Sequence, residues 1–198
     1  FIMKRAIILA GGKGTRLKPY TLALPKPLVP VGGKPILERI IIQLKDNGFT
    51  HITITLNHMA EMIKSFFDDG SKWGIRIDYT TENKPLSTMG PLTLIGNLPQ
   101  DFLVMNGDVL TDLNFDKIYS HHINTSSIFT IAAHRRIEQI DYGVLHEDES
   151  KKLVGFEEKP DYSFLVSMGV YVLNREVINQ IPKNTFFGFD HLMHSLIK

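Results

Sequence analysis

The stretch AIILAGGKGTRLKPYTLALPKPLVPVGGKP, residues 6–35, decides the fold. It opens with a continuous apolar run, Ala6 to Ala10, which is typical of a central strand buried on both faces. The glycines that end this run let the backbone approach a ligand closely and point successive N–H groups at phosphate oxygens. The stretch therefore predicts a buried strand followed by an anion-binding loop.

Helical and strand patterns alternate after this stretch. The predicted elements are a helix over 36–44 that ends at Asn47-Gly48, a strand over 52–56, a helix over 59–67, a strand over 75–79 and a buried strand over 102–105. Alternating strands and helices favour parallel strand pairing with crossover helices. We therefore expect an α/β, Rossmann-like fold with a mixed, mostly parallel sheet and helices on both faces.

The pattern changes to successive strands after Asp108. Strand-like stretches cover 127–133, 142–146, 153–156 and 164–173. We expect these four strands to complete the mixed sheet. Asp190 is predicted to be the N-cap of a last helix, because the apolar residues that follow it lie on one helical face.

Composition excludes several classes of function. The 22 basic and 21 acidic residues give a net charge of +1, which is too small to favour nucleic acid or an anionic membrane as a partner. There are no cysteines, so disulfides, zinc-thiolate sites and cysteine nucleophiles are excluded. No apolar run approaches the roughly 20 residues that span a bilayer. We expect a soluble cytoplasmic protein.

The glycine loop matches neither of two common phosphate-binding motifs. A P-loop is absent, since Gly32-Gly33-Lys34 is followed by Pro35. The dinucleotide fingerprint fails because Leu17 stands at the third glycine position, which weakens the hypothesis of a Rossmann-type dehydrogenase. Pro25 and Pro27 restrict the backbone around Lys26, which is either a positioned charge or a solvated loop lysine.

Taken together, these motifs resemble the sugar-1-phosphate nucleotidylyltransferases, also called NDP-sugar pyrophosphorylases. The resemblance begins with Gly-Gly-x-Gly-Thr-Arg-Leu at residues 11–17 and Pro-Lys-Pro at 25–27. Further matches are Glu82-x-x-Pro85-Leu86-x-Thr88-x-Gly90 for the nucleotide-base loop, Asn106-Gly107-Asp108 for the metal site, and Tyr142-Gly143 with Glu158-Lys159-Pro160 for the sugar-phosphate site. The resemblance covers nearly all of residues 4–198.

The resemblance implies that an NTP and a sugar 1-phosphate, here a hexose 1-phosphate, give an NDP-sugar and pyrophosphate. It implies catalytic roles for Arg16, Lys26 and Asp108, with Asp108 also a ligand of Mg²⁺. The implied nucleotide-binding residues are Leu9, Ala10, Gly11, Gly12, Gly14, Thr15, Glu82, Thr88, Gly90 and Gly107. The implied sugar-phosphate-binding residues are Tyr142, Gly143, Glu158 and Lys159.

Alternative readings of single residues stay open. Asn, Gly and Asp are common in turns, so Asp108 can be a turn residue. Glu158 and Lys159 can be a solvated surface pair. Ser87 and Met89 stand where many family members have smaller residues, which leaves the base preference open.

The end of the chain departs from the family pattern as well. The sequence lacks the late Trp-x-Asp-x-Gly-like stretch that carries the family's second metal-binding aspartate. We expect one nucleotidyltransferase domain over 1–198 without the family's C-terminal portion, and a homo-oligomer is possible. The alternative function is a nucleotide- or sugar-nucleotide-binding protein that has lost turnover.

Overall fold

The structure is a computed structural model, which describes residues 3–12, 14, 21, 23–57 and 59–197. The chain forms two compact units. One comprises Phe1–Ile131 with Gly169–Lys198, and the other comprises Ala132–Met168. Within the described ranges, no helix combines the length and the apolar character needed to cross a membrane.

Ten strands and four α-helices make up the described chain. The strands are β1 (Lys4–Leu9), β2 (Pro30–Val31), β3 (Lys34–Pro35), β4 (Phe49–Leu56), β5 (Arg76–Thr81), β6 (Asp101–Asn106), β7 (Phe129–Gln139), β8 (Gly143–Glu147), β9 (Leu153–Glu158) and β10 (Asp161–Asn174). The helices are α1 (Ile36–Asp46), α2 (Ala60–Phe67), α3 (Phe115–Asn124) and α4 (Phe189–Leu196). Short 3-10 segments cover Lys26–Leu28, Ser71–Trp73, Gly90–Leu94 and Arg175–Gln180.

The central sheet has six strands in the order β5-β4-β1-β6-β10-β7. Strands β5, β4, β1 and β6 are parallel, whereas β10 runs antiparallel to β6. This sheet confirms the predicted Rossmann-like class with a mixed, mostly parallel sheet. From β1 the chain adds β4 and β5 on one side and then returns to place β6 on the other. A sheet whose order reverses in this way opens a crevice at the carboxyl ends of the two diverging strands.

Strand β1 lies at the centre of the sheet, and its residues from Ala6 to Leu9 are all apolar. Ala6, Ile7 and Ile8 are fully buried, and Ile8 lies between Ile54 of β4 and Met105 of β6 in the sheet register. A parallel strand covered on both faces needs such a continuous apolar run.

Helix α4 and the residues around Met89 belong to one core cluster. Its buried members are Ile7, Met89, Leu92, Phe102, Val104, Tyr171, Leu173, Val177, Ile181 and Leu192. Partly buried Phe187 and Phe189 pack against this cluster. The segment that precedes α4 is therefore anchored to the same core as the end of the expected base loop.

Two expectations about the later part of the chain were wrong. We expected all four late strands to complete the central sheet, but only β7 and β10 join it. Strands β8 and β9 form a separate two-stranded antiparallel sheet as a hairpin. Helix α4 begins at Phe189 with Gly188 before it, so Asp190 lies inside the first turn and is not the N-cap. The cap comes from a distant loop, since the Thr88 hydroxyl accepts a hydrogen bond from the Phe189 N–H at 2.9 Å.

His122 joins α3 to the sheet through a buried polar network. Its ring is 1% exposed, with Nδ1 at 2.8 Å from the Thr130 hydroxyl and Nε2 at 3.3 Å from Asp101 Oδ1. A neutral imidazole satisfies both partners if it donates to Asp101 and accepts from Thr130. Burial lowers the pKa of His122 below 6.5, although the bond to Asp101 opposes this shift.

We predict that His122 makes the protein less stable in mild acid. Because the folded-state pKa lies below the unfolded value, the contribution is complete above about pH 6.5 and decreases as the pH falls below it. Urea unfolding between pH 7.5 and 5 should show a smaller loss of unfolding free energy for His122→Gln than for the parent. The raised pKa of Glu82 makes the protein more stable as the pH falls, but Glu82 is present in both proteins, so its effect cancels in the comparison. Equal pH profiles would contradict this role of His122.

Candidate active site

A cavity of 520 Å³ lies at the carboxyl ends of the parallel strands, at the point where the strand order reverses. Binding sites of doubly wound sheets lie at this edge. The lining residues are Leu9, Ala10, Gly11, Gly12, Gly14, Lys26, Pro27, Thr55, Asn57, Glu82, Pro85, Leu86, Ser87, Thr88, Pro91, Asn106, Gly107, Asp108 and Phe186.

The end of β1 is held from both sides before the glycine loop begins. The Ala10 N–H donates to the Thr55 carbonyl at 3.0 Å, and the Gly107 N–H donates to the Leu9 carbonyl at 2.9 Å. Within the part of the chain that the structure describes, the next two N–H groups, of Gly11 and Gly12, donate to no protein acceptor. These two groups are available to an anionic ligand in the cavity.

The Glu82 carboxylate occupies the space that a side chain at position 11 would need, so a glycine fits there. A Cβ added at Gly11 would lie 2.6 Å from Glu82 Oε1, whereas a Cβ added at Gly12 would meet no described residue within 4 Å. Glu82 is 8% exposed, and its Oε2 accepts the Leu86 N–H at 2.9 Å. Burial raises the pKa of Glu82, and the hydrogen bond from Leu86 partly offsets that shift. Glu82 thus joins the glycine loop to the beginning of the base loop.

Lys26 and Asp108 meet in the cavity although 82 residues separate them in sequence. Lys26 Nζ forms an ion pair with Asp108 Oδ2, and both side chains are partly exposed. Gly14 has a φ of +61° and packs closely beside Lys26, since a Cβ added at Gly14 would lie 3.1 Å from the Lys26 Cβ. Among the described residues that line the cavity, Lys26 is the one cationic side chain.

Thr55 brings a buried hydroxyl to the cavity wall. The residue is fully buried, and its Oγ1 has no hydrogen-bond partner among the described residues. A buried polar atom without a partner costs roughly 1–3 kcal/mol.

Thr88 and Gly90 of the base loop have different surroundings. Thr88 lines the cavity, but its hydroxyl already accepts the Phe189 N–H. Gly90 is buried, and it does not appear among the described residues of the cavity wall. A Cβ added at Gly90 would lie 2.7 Å from the Thr185 carbonyl oxygen, so this glycine allows the chain to pack closely there.

The expected sugar-phosphate residues lie together at one end of the hairpin in the second unit. Gly143 of β8 is paired with Glu158 of β9 in the register. Lys159 Nζ forms an ion pair with Asp141 Oδ1 at 2.8 Å, and Tyr142 is 78% exposed. The hairpin therefore presents an exposed tyrosine, a carboxylate and an ammonium group near one another.

Ten of the expected site residues line the cavity: Leu9, Ala10, Gly11, Gly12, Gly14, Lys26, Glu82, Thr88, Gly107 and Asp108. Thr15 and Arg16 lie outside the described residues. Sequence analysis missed Thr55, Asn57, Pro91 and Phe186. Thr55 and Asn57 could have been predicted, because the end of β4 must lie beside the end of β1 in a parallel sheet. Phe186 follows no strand and carries no motif signal.

A family model described as "Nucleotidyl transferase" matches residues 5–186. The chain belongs to this family. A UTP–glucose-1-phosphate uridylyltransferase from Synechocystis sp. is 34% identical over 197 residues, which cover 90% of this chain and 51% of that protein. A probable mannose-1-phosphate guanylyltransferase 1 from Oryza sativa subsp. japonica is 38% identical over 186 residues, with 89% and 52% covered. The chain thus spans about half the length of these curated relatives.

The fold of this nucleotidyl transferase family member is found again in a solved structure. The crystal structure of HddC from Yersinia pseudotuberculosis complexed with GMP-PN matches with a TM-score of 0.70 at 29% identity. The match covers 94% of this chain and 83% of that one.

We predict that Gly11→Ala is destabilising and that Gly12→Ala is not. At Gly11 the methyl group must displace the buried Glu82 carboxylate, and such overpacking costs about 1–3 kcal/mol. At Gly12 the methyl group meets no atom of the described residues, so the change should stay within about 0.5 kcal/mol. Both substitutions restrict the unfolded chain in the same way, so their difference isolates the contact. Urea unfolding that gives equal stabilities for the two variants would show that Glu82 does not constrain Gly11.

Proposed function

We propose that the protein transfers a nucleotidyl group from an NTP to a hexose 1-phosphate, giving an NDP-sugar and pyrophosphate. The observation that carries this proposal is the meeting of three features in one cavity. These are the N–H groups of Gly11 and Gly12, for which the described residues supply no acceptor, the Lys26 ammonium group and the Asp108 carboxylate. The two curated relatives are named for reactions of this class.

In this reaction an oxygen of the sugar phosphate forms a bond to the α-phosphorus of the nucleotide. The bond between that phosphorus and the bridging oxygen to the β-phosphate breaks, and pyrophosphate leaves. A phosphate monoester has a second pKa of about 6, so it is largely dianionic near neutral pH and needs no general base. The protein must therefore bring two anions together in line and stabilise their charge.

Each group of the cavity has a part in that task. The N–H groups of Gly11 and Gly12 would bind nucleotide phosphate oxygens, and Lys26 would neutralise charge beside the reacting phosphates. Arg16 remains the predicted clamp for the departing pyrophosphate. Tyr142, Gly143, Glu158 and Lys159 of the second unit remain the proposed ligands of the sugar phosphate.

Asp108 fits the requirements of Mg²⁺ in a nucleotide site. The described residues contain no group of three or more His, Cys, Asp and Glu side chains that could hold a metal ion alone. Mg²⁺ usually takes one or two carboxylates and completes its shell with phosphates and water, which matches a single partly exposed Asp108. When bound, the ion would withdraw charge from the phosphate oxygens.

The nucleobase and the sugar are best identified by direct assay. The curated relatives are named for UTP with glucose 1-phosphate and for mannose 1-phosphate with a guanylyl group. Pyrophosphate release should be measured with each NTP against a panel of hexose 1-phosphates in the presence of Mg²⁺. Release that requires both substrates supports the proposal. Nucleotide binding without release from any pair would instead identify a binding protein without turnover.

We predict that Lys26→Ala and Asp108→Ala each lower kcat by about 10²–10³, the loss typical of removing one preorganised charged or polar contact to a transition state. Lys64→Ala is the matched control, because Lys64 has a similar exposure and pairs with Glu61 on the surface helix α2. The control should keep its activity within about threefold. Steady-state pyrophosphate release measures all three variants, and activity above a third of the parent for Lys26→Ala would exclude its proposed role.

A further inference from the structure

The segment 185–189 is hydrogen-bonded along the base loop. The Phe187 N–H donates to the Leu86 carbonyl at 3.0 Å, and the Phe187 carbonyl accepts the N–H groups of Met89 and Gly90, each at 3.0 Å. The Thr88 hydroxyl accepts the Phe189 N–H. Four hydrogen bonds thus fix the position of the segment against the loop.

The segment and the loop pack closely at two glycines. A Cβ added at Gly90 would lie 2.7 Å from the Thr185 carbonyl oxygen. A Cβ added at Gly188 would lie 3.2 Å from the Ser87 hydroxyl oxygen. The segment and the loop therefore form one wall of the cavity, although about 100 residues separate them in sequence.

Phe186 differs from the other phenylalanines of this segment. Phe187 and Phe189 pack against the core cluster, whereas Phe186 is 61% exposed and lines the cavity. Its ring is 6.5 Å from the His191 ring in an edge-to-face arrangement, with an interplanar angle of 85°. Because an edge-to-face contact covers at most one face of one ring, His191 leaves at least one face of the Phe186 ring uncovered.

The cavity wall has a polar part and an apolar part. The polar lining includes Gly11, Gly12, Lys26 and Asp108, which suit phosphates. The apolar lining includes Pro85, Leu86, Pro91 and Phe186. Among the described residues that line the cavity, Phe186 alone is aromatic. A nucleotide offers charged phosphates to the first set and the flat, apolar faces of its base to the second.

We propose that Phe186 stacks on the nucleobase of the bound NTP, an inference that rests on the proposed function. Stacking of a base on an aromatic side chain contributes about 1–3 kcal/mol and tolerates any base, because every base has a π-face. Phe186 therefore supplies affinity for the nucleoside part of the substrate. Discrimination between bases is left to the hydrogen-bonding groups of the base loop.

The experiment compares ligands that have a base with one that lacks it. Isothermal titration calorimetry with Mg²⁺ measures the Kd of UTP, GTP and inorganic tripolyphosphate for the parent protein, Phe186→Ala and Phe186→Tyr. For the nucleotide that the parent binds best, Phe186→Ala should raise Kd by about 5- to 150-fold, which is the loss of one stacked base. The Kd of tripolyphosphate should not change, and Phe186→Tyr should restore binding to within about threefold.

Phe66→Ala is the matched control, because Phe66 is another exposed phenylalanine and lies on helix α2 away from the cavity wall. It should bind nucleotide like the parent. Thermal unfolding checks that Phe186→Ala is folded, and 61% exposure of the ring predicts a small change.

The remaining outcomes overturn the proposal in distinct ways. Unchanged nucleotide Kd in Phe186→Ala, or an equal loss for tripolyphosphate, excludes stacking on the base. A change confined to the KM of the sugar 1-phosphate places the ring against the sugar instead. Parent protein that binds nucleotide without releasing pyrophosphate refutes the proposed function alone and leaves the stacking test valid, whereas parent protein that binds no nucleotide refutes both.

Discussion

The parallel pairing of β1 on both of its edges is the constraint on which the site depends. Because β4 and β6 hold the end of β1 through Thr55 and Gly107, the chain must leave the sheet at Gly11. The same pairing brings the loops after β4, β5 and β6 to one edge of the sheet. The sheet thus brings residues from four distant parts of the sequence to one place.

Two buried contacts then give the cavity its shape. Glu82 connects the glycine loop to Leu86, and the Thr88 hydroxyl connects the base loop to the start of α4. Both use a polar side chain to satisfy a backbone N–H group that would otherwise lack a partner. Glu82 and Thr88, which the family resemblance predicts to contact nucleotide, therefore also maintain the loops, and substituting either one removes a hydrogen bond that holds a loop.

The sequence predicted the sheet and most of the cavity because these depend on local patterns. The apolar run of β1 and the glycines after it are visible in one short stretch, and Asp108 directly follows the buried strand β6. Other features depend on contacts between distant segments, which periodicity does not report. The cap of α4 comes from Thr88, about 100 residues earlier, so the local signal at Asp190 was misleading. Phe186 reaches the cavity for the same reason.

The ion pair between Lys26 and Asp108 has a consequence for which anions the cavity retains. Each group of the pair neutralises the other, so a singly charged anion would gain little by displacing Asp108 from Lys26. A polyphosphate that arrives with its divalent cation would supply a new counter-charge to both groups at once. If the cavity binds nucleotide as proposed, the pair would therefore select metal-bound polyphosphates over singly charged anions.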